Sequence, residues 1–212
     1  MSIRGGYCFV IDGKEYIVYT GNNSEFSALG DTVLEWVRDF TEKNSSQQNS
    51  IKDQISGLVE VQPYSPVPEN IISEVLREYP YVRPVSINND YDWYSIMRQV
   101  ANSPEDLLGL EHYIDGSWMI DDVDCSYLYV VDFDEEVFEI YYDTYKGKLL
   151  PATGRFNART YSHESEVTRQ EAQYINLLIS YPFSELPDTV AGLNEDVYED
   201  EFWELYLPKT GN

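Results

Sequence analysis

The stretch YLYVVDFDEEVFEIYYD, Tyr127 to Asp143, reads as two β-strands around a tight turn. β-Branched and aromatic residues alternate on both sides of an acidic centre, and that alternation has the period of a strand. An even turn pairs Phe133 with Phe138, Val131 with Ile140 and Tyr129 with Tyr142, and it gathers them on one apolar face. The same register sets Asp132 across from Glu139, with Asp134 beside them. The stretch holds six acids and no base, and like charges placed opposite one another cost stability. Such a face is either solvated or reserved for a cationic partner.

The charge of the whole chain has the same character. There are 14 basic residues against 38 acids, for a net charge of −24 and a pI near 4.1. Disordered acidic chains lack aromatics, whereas this one carries 19 tyrosines and is 15% aromatic, so the charge sits on a folded body. A field of this sign repels nucleic acid, anionic membrane and phosphorylated substrates, and it attracts basic surfaces. Residues 115–143 hold ten acids and no base, and residues 183–207 hold eight and no base. The acids expected to meet a partner are Asp121, Asp122, Asp124, Asp132, Asp134, Glu135, Glu136 and Glu139. A rigid array of carboxylates can imitate the charge of duplex DNA, one per roughly 1.7 Å of axis, in front of a basic nucleic-acid-binding cleft.

Working outward, GGYCFVIDGKEYIVYT (5–20) is a second hairpin, turning at Asp12-Gly13. Thr32 to Glu35 has capping-box spacing ahead of a helical stripe of Val33, Leu34, Trp36, Val37 and Phe40. Residues 44–50 read as a polar loop or a helix–helix connection, and 51–61 as a further helix. Asn70 caps a helix carrying Ile71, Ile72, Val75, Leu76 and Tyr79. DWYSIMRQV is a short helix, and Ser103-Pro104-Glu105-Asp106 starts another. Ser162 or Ser165 opens a helix through Ile179, and residues 195–207 close the chain as an acidic, aromatic element. No composition shift divides the 212 residues. The expectation is one α+β domain over 1–212, an antiparallel sheet built from the two hairpins with helices packed on one side.

Little in the sequence supports catalysis. There is no glycine-rich phosphate loop and no dinucleotide fingerprint, and no cofactor is expected. His112 and His163 have no metal-ligand spacing to a cysteine. Asn88, Asp90 and Asp92 open like a calcium loop, but Trp93 stands at its glycine position and Gln99 at its bidentate acid. Cys8 and Cys125 lie in apolar strands and read as buried free thiols. No apolar run reaches membrane-spanning length, and the reading is cytoplasmic. Removal of Met1 would put Ser2 ahead of a strand, a layout similar to N-terminal-nucleophile hydrolases; Ser2 is equally an ordinary second residue.

MSIRGGYCFVIDGKEYIVY, SALG, DWYSIMRQV, YLYVVDFDEEVFEIY, GRF and SYPFSELPD occur in this order. Together they resemble an uncharacterised family of bacterial and phage proteins. That family begins M-x-x-R-G and carries a hairpin, a mid-chain W-Y segment and a Y-x-Y-V-[IV]-D-x-D strand. Where its members have Y-N-H-x-D-S-Y-P, this chain has YTGNNSEF, with Gly21 and Asn23 in place of the histidine and the acid. Arg4 and Gly5 match, and Arg4 reads as a buried ion-pair partner. The resemblance transfers no catalytic role. It implies a non-enzymatic inhibitor of a bacterial defence system or of another host protein, acting in the host cytoplasm, and the acidic faces would supply the contact with a basic surface. The alternatives are capture of a nucleotide signal, the Ser2 hydrolase, and charge that only maintains solubility while an apolar patch carries the binding. Capture would have Trp93, Tyr94 and Trp118 stacking a base, with Arg83, Arg98 or Arg155 lining the pocket.

Overall fold

The computed structural model describes residues 4–20, 23–85, 90–120, 125–143, 154–156 and 175–193. Strands β1 (Gly5–Ile11) and β2 (Lys14–Thr20) form the N-terminal hairpin, with Ile11 opposite Lys14. Asp12 and Gly13 both have positive φ, 52° and 72°, as the expected type I′ turn requires. Then follow α1 (Asp31–Thr41), α2 (Ser45–Ser56), β3 (Val59–Glu60), α3 (Glu69–Glu78), α4 (Trp93–Val100), α5 (Pro104–Leu110), β4 (His112–Tyr113) and the short α6 (Ser117–Ile120). The second hairpin is β5 (Tyr127–Asp132) and β6 (Val137–Asp143), and β7 (Ile175–Pro182) adds to its outer edge.

The five-stranded sheet runs β2-β1-β5-β6-β7, and β3 pairs with β4 in a small second sheet. The two hairpins join through a parallel pairing of β1 with β5; the other neighbours of the large sheet are antiparallel. The class is α+β, with a mostly antiparallel, mixed sheet. The parallel join needs a glycine at Gly5, where an added Cβ would stand 2.2 Å from the Tyr127 carbonyl oxygen.

Strand alternation sorts the core into two layers. Tyr7, Phe9, Ile11, Tyr16, Val18, Tyr127, Tyr129, Val131, Phe138 and Ile140 face the helices. Cys8, Val10, Ile17, Leu128, Val130 and Tyr141 face the other way, and Ile120 and Phe156 pack there. The sheet is therefore covered on both faces rather than one. Cys8 and Cys125 are buried free thiols.

Several local expectations change. Val131 pairs with Phe138, Tyr129 with Ile140 and Tyr127 with Tyr142, two residues away from the even-turn register. A slip of two keeps every side chain on its face. The cause lies in the turn: Asp132 Oδ1 accepts the N–H groups of Asp134 at 2.9 Å and Glu135 at 3.0 Å, and Glu136 is left-handed at φ 53°. Phe133 then leaves the strand and packs on Phe40, with ring centroids 4.8 Å apart. Thr32 caps nothing: α1 follows a π-type turn over Phe26–Gly30, and the Thr32 hydroxyl donates to the Ala28 carbonyl at 2.8 Å. The capping box forms instead at Asn44 and Gln47, which turns the presumed loop into the start of α2. Asn70 lies inside α3, behind Pro68. Residues 175–179 are strand, not helix, because the outer edge of β6 needs a hydrogen-bonding partner and β7 supplies it. Residues 162–174 and 195–207 lie outside the described residues.

Candidate functional site

The acidic hairpin is not the open array that its sequence implies. Asp132 is 3% exposed and lies on the covered face of the sheet. Arg155 forms ion pairs with both Asp132 and Glu139, its Nε donating to Glu139 at 2.7 Å. The Tyr141 hydroxyl donates to the same Glu139 oxygen at 3.1 Å and accepts the N–H of Arg155 at 3.1 Å. Burial works against the charge on Arg155, but hydrogen bonds to Glu139 and Asp132 more than offset it and raise its pKa above the ordinary arginine range. Two acids on one covered face require a cation, and the planar guanidinium serves both. Asp134 is exposed, yet its carboxylate accepts the N–H groups of Gly13 at 2.7 Å and Asp12 at 2.9 Å. Those bonds lower its pKa and tie the tips of the two hairpins together. Glu135 and Glu136 are exposed. Asp121, Asp122 and Asp124 lie outside the described residues.

A pocket of about 340 Å³ opens elsewhere, where α4 and α6 meet β2. Val18, Met97 and Ile114 give it apolar walls, and four aromatic side chains line it as two pairs. Tyr19 and Trp118 have centroids 5.1 Å apart, and Tyr64 and Tyr94 have centroids 5.7 Å apart. Tyr64 is 77% exposed and Trp118 43%. Two arginines, Arg4 and Arg98, also line it.

The fold assembles this site from distant parts of the chain. Asp92 caps α4 by accepting the Ser95 N–H at 2.7 Å, which orients Tyr94, Met97 and Arg98. The Tyr94 N–H donates to the Pro63 carbonyl at 2.7 Å, holding the Pro63–Tyr64 loop against α4. The Gly116 N–H donates to the Ile17 carbonyl at 2.8 Å and brings Trp118 beside Tyr19. Arg98 is half-buried and makes no ion pair with a carboxylate among the described residues.

Of the residues named for base stacking, Tyr94 and Trp118 line the pocket and Trp93 does not. Trp93 is buried, stacked on His112 with centroids 4.5 Å apart. Of the arginines, Arg98 lines it, whereas Arg83 is exposed and donates to the Pro80 and Val82 carbonyls, and Arg155 serves the acidic hairpin. Arg4 is exposed rather than buried, and it belongs to the pocket. Tyr19 and Tyr64 had no local signal, since a strand tyrosine and a loop tyrosine look ordinary until their neighbours are known. Among the described residues no cluster of three or more His, Cys, Asp or Glu fits a metal ion, and no helix is long and apolar enough to cross a membrane. Ser2 and His163 lie outside the described residues. Comparison with protein-family models, curated proteins and solved structures finds no match.

Proposed function

We propose that this protein is a binding protein whose working element is the aromatic, arginine-lined pocket, and that its ligand is a small molecule with a flat ring and a negative charge, of nucleotide type. The observation that carries the reading is Arg98. In a chain of net charge −24, this half-buried guanidinium lines a cavity and pairs with no carboxylate among the described residues. A cation so placed favours an anionic ligand, and apolar walls with a few oriented polar groups are the ordinary makeup of a small-molecule site. The four aromatic rings supply stacking surfaces for a base. In the bacterial and phage setting that the sequence resembles, sequestering such a signal is a way to blunt a host response.

The test is calorimetric titration of the full chain with nucleosides, nucleoside monophosphates, cyclic nucleotides and dinucleotides, with tryptophan fluorescence reporting on Trp118. At least one nucleotide should bind saturably below millimolar concentration, and Arg98→Ala should weaken it about tenfold or more with the circular dichroism spectrum unchanged. Absence of saturable binding across the panel would refute the pocket reading.

A second reading, contact with a basic protein of a defence system, keeps the exposed Glu135 and Glu136 at the hairpin tip. It loses much of its original footing, because Asp132, Asp134 and Glu139 have partners within the fold. Charge reversal at Glu135 and Glu136 would slow association with such a partner in a salt-dependent way.

A further inference from the structure

We infer that the pocket takes a single base, so that its ligand is a mononucleotide, linear or cyclic, and not a dinucleotide. This rests on the pocket reading above and adds the class of ligand. The first observation is the contact within each aromatic pair. Tyr19 and Trp118 have centroids 5.1 Å apart and planes tilted by 48°, and Tyr64 and Tyr94 have centroids 5.7 Å apart and planes tilted by 43°. Rings at such distances touch one another. A base inserted between two ring faces needs about 3.5–4.0 Å on each side, hence about 7 Å or more between the faces. Neither pair leaves that room, so each pair is one wall. The walls come from different parts of the fold: β2 and α6 supply the first, and α4 with the Pro63–Tyr64 loop supplies the second. Two walls on one cavity make one slot. The second observation is volume. A cavity of about 340 Å³ lies at the small end of the range of roughly 300–1,000 Å³ for ligand pockets. It suits one base with its sugar and phosphate, and a dinucleotide doubles that load. The third is depth. In each wall one ring is half-buried, Tyr19 or Tyr94, and its neighbour is exposed, Trp118 at 43% and Tyr64 at 77%. Each wall therefore runs from the interior of the cavity outward, and a base in the slot stacks on both walls at once. A change in either wall acts on the same base.

Matched ligands separate this inference from the reading beneath it. The full chain is titrated calorimetrically with adenosine and guanosine monophosphates and with the dinucleotides of the same bases, each in linear and in cyclic form. A dinucleotide carries no less charge than the cyclic mononucleotide, so electrostatic attraction alone would not disfavour it. At least one mononucleotide should bind below millimolar concentration, one molecule per chain. The dinucleotide of the same base and form should bind about tenfold or more weakly, because the second nucleoside has no place in the cavity. Tyr64→Ala and Trp118→Ala, both at exposed positions, should each lower the affinity for the mononucleotide about tenfold. The stoichiometry should stay at one, with the circular dichroism spectrum unchanged. Dinucleotide binding that is equal or tighter overturns the one-base inference and leaves the pocket reading standing. So do two mononucleotides per chain with one of them lost in each variant. Binding of no ligand in the set overturns both.

Discussion

At the scale of single residues, Arg155 decides what the acidic hairpin is. Without it, Asp132 would be an unpaired carboxylate on a covered face; with it, Asp132 is buried as one half of an ion pair and the half-buried Glu139 shares the same cation. Removing one partner of a buried ion pair typically costs about 3–5 kcal/mol, because the other charge is left stranded. Arg155→Ala should therefore destabilise the fold by about that amount in urea melts. Combining it with Asp132→Asn should recover a large part of the loss, since the stranded charge is then gone. A loss within error for Arg155→Ala would mean that the hairpin's acids are solvated after all.

At the scale of elements, the ends of the helices are the informative places. Asn44 and Gln47 satisfy each other's backbone N–H groups, Asn44 Oδ1 accepting from Gln47 at 3.1 Å and Gln47 Oε1 accepting from Asn44 at 3.2 Å. Asn44→Ala should lower stability by about 1 kcal/mol. Thr32→Ala, at the position whose spacing imitates a capping box, should change it by less than about 0.5 kcal/mol, because the hydroxyl is exposed and bonds back to Ala28. Urea midpoints for the two variants check the pair, and the reverse order would contradict this placement of the cap. β7 is the other instructive element. Its residues pair with β6 from Ile175 to Pro182, with a register shift between Ile140 and Tyr141. Local helical preference gives way there to the unsatisfied edge of a neighbouring strand.

At the scale of the whole molecule, many phenols are enclosed. Tyr113 is 3% exposed, and burial, aided by the Glu60 and Asp115 carboxylates, pushes its pKa up to about 12. Burial likewise raises Tyr7, Tyr79 and Tyr141. A phenol whose folded pKa is above its unfolded value near 10 favours the folded state while it is neutral. That stabilisation is whole below pH 10 and is lost as pH rises from about 10 to 12 and beyond. The urea midpoint should accordingly fall steeply from pH 10 upward, and phenolate absorbance should rise in two phases, the later one coinciding with unfolding. A single phase near pH 10 with an unchanged midpoint would contradict this enclosure.

What could be read along the chain was local. The two hairpins, the α1 stripe, the short helix after Asp92, the Ser103 cap and the buried thiols follow from patterns spanning a few residues, because alternation, turn chemistry and capping act over that distance. The α+β class followed from combining them. The pocket was legible only in pieces: Tyr94, Trp118 and Arg98 could be named as candidates, while Arg4, Tyr19 and Tyr64 could not. The register of β5 on β6, the strand at 175–182 and the covering of the second face rest on contacts between residues far apart in sequence. Asp132 and Arg155 show the reason most directly. Whether a carboxylate is solvated or buried depends on what packs over it and which cation reaches it, and both are properties of the folded chain.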